Sequence, residues 1–202
     1  MPERNPSSPP ATRSIDSSAL KAFAHPLRLR LYDRLKDHGP ATASMLARAT
    51  GESTGQTSYH LRQLERHGLV SEVVGRGTAR ERWWQSEGIS FGLDVVADDQ
   101  EAMTSMELVQ RHQVRERAHR TVEWIERHGQ EPREWLEVAL FDELTVRMTV
   151  EEAAELGRAV GRVVAEHGDR AKAARLEHGE EGTRMVKFYS ATFPLADEGD
   201  DR

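Results

Sequence analysis

The stretch "TSYHLRQLERHGLV" (residues 57–70), followed at once by "SEVVGRGTARERWW" (residues 71–84), decides the fold. In the first piece Leu61 and Leu64 lie at helical spacing on one face, and a Gly-Leu-Val sequence closes the pattern. In the second piece the period changes to two around a Gly-Arg-Gly turn at residues 75–77, which is typical of a β-hairpin. The sequence therefore predicts a helix that leads directly into a hairpin carrying arginines.

Two further helical segments are predicted upstream. From Ser17 to a Gly-Pro stop at residues 39–40, apolar residues recur at spacings of three and four. Pro26 lies inside this pattern, so we expect a short turn before a main helix that begins near it. A shorter helix fits residues 42–50, and Ser53 is a suitable N-cap for the helix that follows. Three helices and a hairpin in this order form the layout of a winged helix-turn-helix.

Two motifs within this layout resemble those of the ArsR-type winged-helix transcriptional regulators of bacteria. They are "AFAHPLRLRLYDRL" (residues 22–35), with its Pro-x-Arg start, and the Ser-x-His-Leu-x-x-Leu helix that ends in Gly-Leu-Val. The resemblance covers about residues 17–85. It implies a transcriptional regulator, in most members a dimer, that binds DNA. The family's Cys-x-Cys metal box is missing because the chain has no cysteine, so thiolate-based metal sensing is not implied.

The expected DNA-binding surface consists of the third helix and the hairpin, or wing. DNA sequence is recognised by side chains whose hydrogen-bond donors and acceptors reach the edges of the bases. Several short polar side chains of this kind lie near the start of this helix. We expect the wing arginines to contact phosphates or the minor groove, with Arg76 at the tip. The alternative is an ordinary solvated surface on which the wing arginines pair with Glu72 and Glu81. The predicted DNA-binding residues are Thr54, Gln56, Ser58, Tyr59, His60, Arg62, Gln63, Arg76 and Arg80.

The charge of the chain is divided unevenly between its two halves. The 202 residues carry a net charge of −6, yet residues 1–97 hold 13 Lys and Arg against 10 Asp and Glu, while residues 98–202 hold 15 against 24. The first half can attract polyanions and the second half repels them. No apolar run approaches the roughly 20 residues of a membrane span. We therefore expect a soluble cytoplasmic protein with no membrane partner.

The predicted fold class is mainly α with a small β component (α+β), arranged in three regions. They are a disordered tail (1–16), a winged helix-turn-helix DNA-binding domain (17–97) and a dimerisation and effector-binding region (98–202). In the last region the sequence first predicts a long helix that is capped by Asp98 or Asp99 and ends near 128, and then a strand at 144–148. A second helix follows, from the Thr149–Glu152 capping box to about 167. The chain then continues as a charged mobile segment at 168–182 and ends in a strand at 183–195.

An apolar stripe on the long helix is the predicted dimer interface. The alternative is that the stripe covers a core within its own chain. On the same helix His112 and His119 share a face with Glu116 nearby, which suggests a metal site, but the i, i+4 spacing of a typical ligand pair is missing. We therefore predict no metal and no cofactor. The predicted interface residues are Met103, Met106, Val109, Val114 and Ile125.

The sequence favours a homodimeric, sequence-specific DNA-binding transcriptional regulator, more specifically a repressor acting on a palindromic operator in double-stranded DNA. No nucleophile elbow, phosphate-binding glycine loop or His-Glu-x-x-His motif is present, so no enzymatic activity is predicted. Two alternatives stay open. The winged helix could dock onto another protein without touching DNA, or the C-terminal region could respond to a small-molecule effector or metal and control DNA release.

Overall fold

The computed structural model of the chain describes residues 13–78, 81–90 and 99–196. Contacts between residues divide the chain into two compact units, Met1–Val122 and Glu123–Arg202. The first unit contains the predicted winged helix-turn-helix, and the second contains much of the acidic half of the chain.

Four helices open the first unit: the three that the sequence predicts, and a short helix in place of the turn expected before Pro26. Pro26 separates the first two because proline lacks the N–H that a helix interior requires, whereas it suits the first turn. His25 is the N-cap of the second helix, and the Thr42 and Ser53 side chains cap the third and fourth. Gly51 ends the third helix in a left-handed conformation. The bounds are α1 (Ser17–Phe23), α2 (Pro26–His38), α3 (Ala43–Thr50) and α4 (Thr54–Arg66).

A small antiparallel sheet completes the winged helix. Strands β2 (Ala41–Thr42), β3 (Val70–Thr78) and β4 (Glu81–Ser86) lie in the order β2-β4-β3. In the β3–β4 wing Thr78 pairs with Glu81, so the chain reverses between these two residues. The predicted turn at 75–77 is therefore wrong. Its glycines instead allow an irregularity within β3, where the register shifts between Glu72 and Gly77.

The core of the first unit combines the four helices with part of a fifth, α5 (Gln100–Arg127). Leu20, Leu31, Leu61, Leu64 and Leu69 are all fully buried in it. From α5 the core receives Ala102, Met106 and Val109, which are at most 2% exposed. The beginning of α5 is thus a structural part of the winged helix, although the sequence placed the end of that domain at residue 97.

Polar contacts also fasten α5 to α1 and α2. Lys21 forms ion pairs of 2.9 Å with Asp99 and Glu101 at the start of α5. Further along, His112 Nε2 lies 2.7 Å from Asp33 Oδ2, and Arg120 Nη2 lies 2.6 Å from Asp37 Oδ2. These pairs extend the attachment well beyond the buried apolar residues.

The N-terminal tail is shorter than the sequence predicts. Residues 1–12 lie outside the described part of the chain, but β1 (Arg13–Ser14) pairs in parallel with β5 (Ile89–Ser90). Ile15 is 2% exposed within the core, and Asp16 caps α1 through Ala19 N at 2.7 Å. The assignment of residues 13–16 to a disordered tail is therefore wrong, because strand pairing, the burial of Ile15 and the Asp16 cap together hold them in place.

The second unit contains little buried surface. After α5 come a short 3-10 helix (His128–Gln130), α6 (Arg133–Glu137) and α7 (Val150–His178). The predicted capping box of Thr149 and Glu152 starts α7. The helix runs past 167 to His178 because residues 168–178 contain three Ala, two Arg, one Lys and one Leu, which favour helix. No residue between 123 and 196 is buried.

The two strands predicted in the second unit are absent from this described part of the chain. Residues 144–148 and 183–195 have no regular secondary structure. Alternating apolar residues suit one face of a sheet, but a strand also needs a neighbouring strand to hydrogen-bond with, and neither segment has one here. Their apolar side chains are consequently exposed, with Leu144 at 70%, Met185 at 77% and Phe193 at 69%. No helix in the described ranges is long and apolar enough to cross a membrane.

Candidate nucleic-acid interface

Helix α4 has one buried face and one exposed face. Thr57, Leu61 and Leu64 are fully buried against the rest of the unit, which fixes the helix rotationally. The Ser53 hydroxyl caps it by accepting a 3.2 Å hydrogen bond from Gln56 N. The outward face carries the exposed side chains of Thr54, Gln56, Tyr59 and Arg62 and the half-buried ones of Ser58 and Gln63. Six of the predicted recognition residues thus lie on an accessible face of one rigid helix.

His60 is the exception among the predicted α4 residues. It is only 7% exposed, and its ring packs against the ring of His25 at a centroid distance of 4.5 Å. On its other side Tyr59 meets it edge-on at 5.2 Å. A direct base contact by His60 is therefore contradicted, because i, i+3 spacing from Thr57 turns this side chain toward the protein. Burial lowers the pKa of His60, and the nearby His25 and Arg28 lower it further, while Glu52 opposes them.

The wing presents Arg76 in a stacked arrangement. Its guanidinium lies 3.8 Å from the centroid of the Trp83 ring, a cation–π contact that the sequence did not reveal. The neighbouring Gly77 has a φ of 101°, and a Cβ there would lie 2.2 Å from the Glu81 carbonyl oxygen. Only glycine fits at this position. Arg76 is thus presented on the side of the wing, near its tip, and is exposed.

The other wing residues divide between pairing and packing. Arg82 Nε lies 3.4 Å from Glu72 Oε2. This contact agrees with the alternative in which wing arginines pair with neighbouring glutamates on a solvated surface. Arg80 lies outside the described residues. Trp84 is 3% exposed and joins the core, whereas Trp83 is half-buried beneath Arg76. Of the wing cations described, Arg76 is therefore the one best presented to a ligand.

The predicted dimer interface is only partly available. Met106 and Val109 are buried in the core of their own chain, so their assignment to the interface is wrong. The apolar stripe in the sequence could not show whether a residue packs within its own chain or against a partner chain. Met103 is 38% exposed, Val114 62% and Ile125 51%, and these three can still face a partner.

The histidines of α5 do not form a metal centre in the described part of the chain. His112 Nε2 contacts Asp33 of α2 at 2.7 Å, as noted above, which joins two helices. No cluster of three or more His, Cys, Asp or Glu suited to a metal ion occurs among the residues described.

A family model described as a helix-turn-helix domain matches residues 23–73. These residues include α2, α3 and α4 and the beginning of the wing. Together with the order of helices and strands, the match confirms the winged helix-turn-helix that the sequence motifs predict. No curated protein matches the chain.

Several solved structures are similar to about half of the chain. NolR from Sinorhizobium fredii is 24% identical, with 47% of this chain and 81% of that one covered and a TM-score of 0.31. HlyU from Vibrio cholerae is 23% identical, with 47% and 89% covered and a TM-score of 0.31. An ArsR family transcriptional regulator is 24% identical, with 49% and 94% covered and a TM-score of 0.31. Similarity at this level adds no functional conclusion to the geometry described above.

Proposed function

We propose that the chain is a sequence-specific DNA-binding transcriptional regulator whose helix α4 enters the major groove. The exposed polar face of α4, which is held rigidly by Leu61 and Leu64, is the observation that supports it. A groove-reading helix must offer hydrogen-bonding side chains on a surface that does not rearrange. Such a protein binds DNA without changing covalent bonds, so we propose no enzymatic activity.

The side chains of α4 and the wing suit different parts of DNA. Gln56 can pair with adenine through both ends of its amide, and Arg62 offers the donors that guanine accepts. Tyr59, at 57% exposed, can contact either a base or a phosphate. Arg76 supplies a cation for a phosphate or a narrow minor groove. Base contacts would therefore come from α4 and sequence-independent attraction from the wing.

The regulator is proposed to act as a homodimer, as a repressor, on a palindromic operator. A two-fold dimer places two α4 helices in successive major grooves about one helical turn apart. The apolar side chains left exposed on α5 and in the second unit support such an assembly, because large exposed apolar surfaces usually mark interaction sites. A bacterial regulator of this kind acts in the cytoplasm, where the chromosome lies.

The C-terminal region is proposed to carry dimerisation and, as a second role, effector binding. Exposed apolar residues such as Phe141, Phe188 and Phe193 support an interaction role for this region. A docking protein that never binds DNA is the alternative for the whole chain, because a winged helix can also bind other proteins.

Selection of bound sequences from random double-stranded DNA tests the proposal directly. The expected result is an inverted repeat whose half-site centres are about 10 base pairs apart. Retention of a single half-site would contradict the dimer but keep the DNA-binding role. A protein that retains no DNA at low salt would contradict the function, and the docking alternative would replace it.

A further inference from the structure

A cluster of polar side chains with unpaired buried atoms lies where the start of α2 meets α4. It comprises His25, Arg28 and His60, which we call the α2–α4 cluster. Among the residues described, Arg28 Nε and His60 Nδ1 are buried without a hydrogen-bond partner. Buried polar atoms are nearly always paired, so these two neighbouring side chains keep hydrogen-bonding capacity that a ligand could use.

The α2–α4 cluster is electropositive. In the part of the chain that the structure describes, Arg28 forms no ion pair with a carboxylate, and its charge lowers the pKa of both His25 and His60. Glu52 is the one carboxylate that acts on His60 in the opposite direction, and it is already paired with Arg30 at 2.7 Å. Burial also lowers the pKa of Arg28, with Tyr59 acting against it. The ligand that would balance these groups is an anion.

The cluster also lies at the positive end of a helix. His25 is the N-cap of the 13-residue α2, and its Nδ1 accepts a 3.2 Å hydrogen bond from Leu27 N. Pro26 has no N–H and Leu27 N is already donated to His25 Nδ1, so this helix start attracts an anion mainly through the helix dipole. His60, only 7% exposed, lies against the N-cap ring, so a buried polar side chain supplements the helix end.

We propose that the α2–α4 cluster binds a phosphate of the DNA backbone, with Arg28 as the principal cation. The inference rests on the proposed function and extends the DNA-binding surface from α4 onto α2. Tyr59 connects the two surfaces, since its ring contacts His60 at 5.2 Å while more than half of it faces solvent. A guanidinium suits this role because it retains its charge and presents several donors to phosphate oxygens.

Phosphate binding at this position couples DNA binding to protons. His60 is the group that can take up the proton, because its Nδ1 has no hydrogen-bond partner among the residues described, whereas His25 Nδ1 already accepts the N-cap hydrogen bond. In the free protein the pKa of His60 is lowered by burial and then by His25 and Arg28, with Glu52 acting against them. A bound phosphate favours the protonated ring and raises that pKa, so DNA affinity should increase as the pH falls from about 8 to 6.

The first test compares Arg28→Gln with Arg34→Gln, which makes the same charge change on the same helix but away from the cluster. Affinity for a labelled mixed-sequence duplex of roughly 30 base pairs is measured at several salt concentrations. Arg28→Gln should lower the magnitude of the slope of log K against log salt by about one unit, and affinity by about eightfold near 0.1 M salt. Arg34→Gln should change neither. Unchanged slope and affinity in folded Arg28→Gln would overturn the inference.

The second test uses the wild-type chain, so it does not depend on the variant folding. The pKa of His60 is measured by NMR, with His60→Gln used to assign its ring signals. Saturating duplex should raise this pKa, and a value unchanged by DNA would overturn the inference. A pKa that responds to inorganic phosphate but not to duplex would assign the site to a free phosphate instead, and would equally overturn the DNA contact.

The outcomes separate this inference from the proposed function. If the wild-type chain binds no duplex at low salt, the proposed function fails. If it binds duplex while the pKa of His60 does not respond to duplex and Arg28→Gln does not change binding, the function stands and the α2–α4 cluster has no part in it.

Discussion

The guanidinium of Arg76 lies 3.8 Å from the centroid of the Trp83 ring, so an exposed cation of the wing is held by an aromatic contact. A long cationic side chain normally loses rotamer freedom when it binds. Stacking on Trp83 removes part of that freedom in the free protein, which favours binding in a defined position. The wing of this protein therefore offers a partly pre-oriented cation.

Removing Arg76 should weaken binding to all DNA sequences alike. In Arg76→Ala the magnitude of the slope of log K against log salt should fall by about one unit per wing, because one phosphate contact is lost. Arg82→Ala is the control, since Arg82 is already paired with Glu72 at 3.4 Å and should change the slope less. If Arg76→Ala leaves slope and affinity unchanged at low salt, the wing does not contact DNA.

Truncating the exposed side chains of α4 should weaken specific binding while preserving the fold. Gln56→Ala and Tyr59→Ala are each expected to cost about 1–3 kcal/mol of operator affinity if the side chain makes a good base contact. Gln110→Ala, an exposed glutamine of α5, is the matched control and should change nothing. Operator affinity that is unchanged in both α4 variants would place the reading surface elsewhere.

Charges in the exposed part of the α5 stripe should separate the proposed dimer. Val114→Glu combined with Ile125→Glu should give monomers by light scattering and reduce operator binding strongly, because two half-sites no longer act together. A double variant that stays dimeric would show that other residues, such as 183–195, form the interface.

Met106→Ala provides the contrast to that double variant, because Met106 is 2% exposed in the core of its own chain. It should lower the free energy of unfolding by about 2–5 kcal/mol and leave the assembly unchanged wherever the protein remains folded. Chemical denaturation and light scattering measure the two effects separately. A monomeric but fully stable Met106→Ala would contradict the burial of this residue.

The wing should tolerate a side chain at Gly75 better than at Gly77. Both glycines have positive φ, so alanine is strained at either, at a cost of about 1–3 kcal/mol. At Gly77 the new Cβ would additionally lie 2.2 Å from the Glu81 carbonyl oxygen, whereas at Gly75 nothing lies within 4 Å. Amide hydrogen exchange in β4 should therefore accelerate more in Gly77→Ala than in Gly75→Ala. Equal exchange in the two variants would contradict this packing.

The stability of the first unit should decrease as the pH falls below about 6.5. Burial is the main cause that lowers the pKa of His25 and of His60 in the folded protein. Between the folded and the unfolded pKa the unfolded chain binds more protons, so the free energy of unfolding increases with pH across that window. Urea unfolding at several pH values measures the slope, which should be smaller in a folded His60→Gln variant. A slope of zero in the wild type would contradict the lowered pKa values.

The winged helix was predictable because its signals are local. Pro26, Gly39 and Gly51 mark helix ends, and the caps Thr42 and Ser53 each act on the N–H group three residues away. The α4 surface followed from the same information, because burial of Leu61 and Leu64 determines which residues face outward. His60 was wrongly placed on the outward face of α4, because a histidine suits either face and its partner, His25, is distant in sequence.

The remaining features depend on contacts that no short stretch specifies. Nothing in the α5 stripe itself distinguishes Met106, which packs against the helices of its own chain, from Val114, which does not. The predicted strands at 144–148 and 183–195 each required a neighbouring strand to hydrogen-bond with. The alternation of apolar and polar residues shows only that one face of a segment is apolar, and it does not show whether such a neighbour exists. The unpaired Arg28 Nε and the stacking of Arg76 on Trp83 likewise become visible only when distant segments meet.

The shared core of α5 and the winged helix sets a limit on how this protein can be divided. A fragment that ends at residue 97 would lack Ala102, Met106 and Val109, and it would leave the apolar surface they cover open to water. An isolated DNA-binding fragment, or a fusion that exchanges the C-terminal region for another, should therefore keep the chain through about Val122. In evolutionary terms, the winged helix and the first turns of α5 must be inherited together.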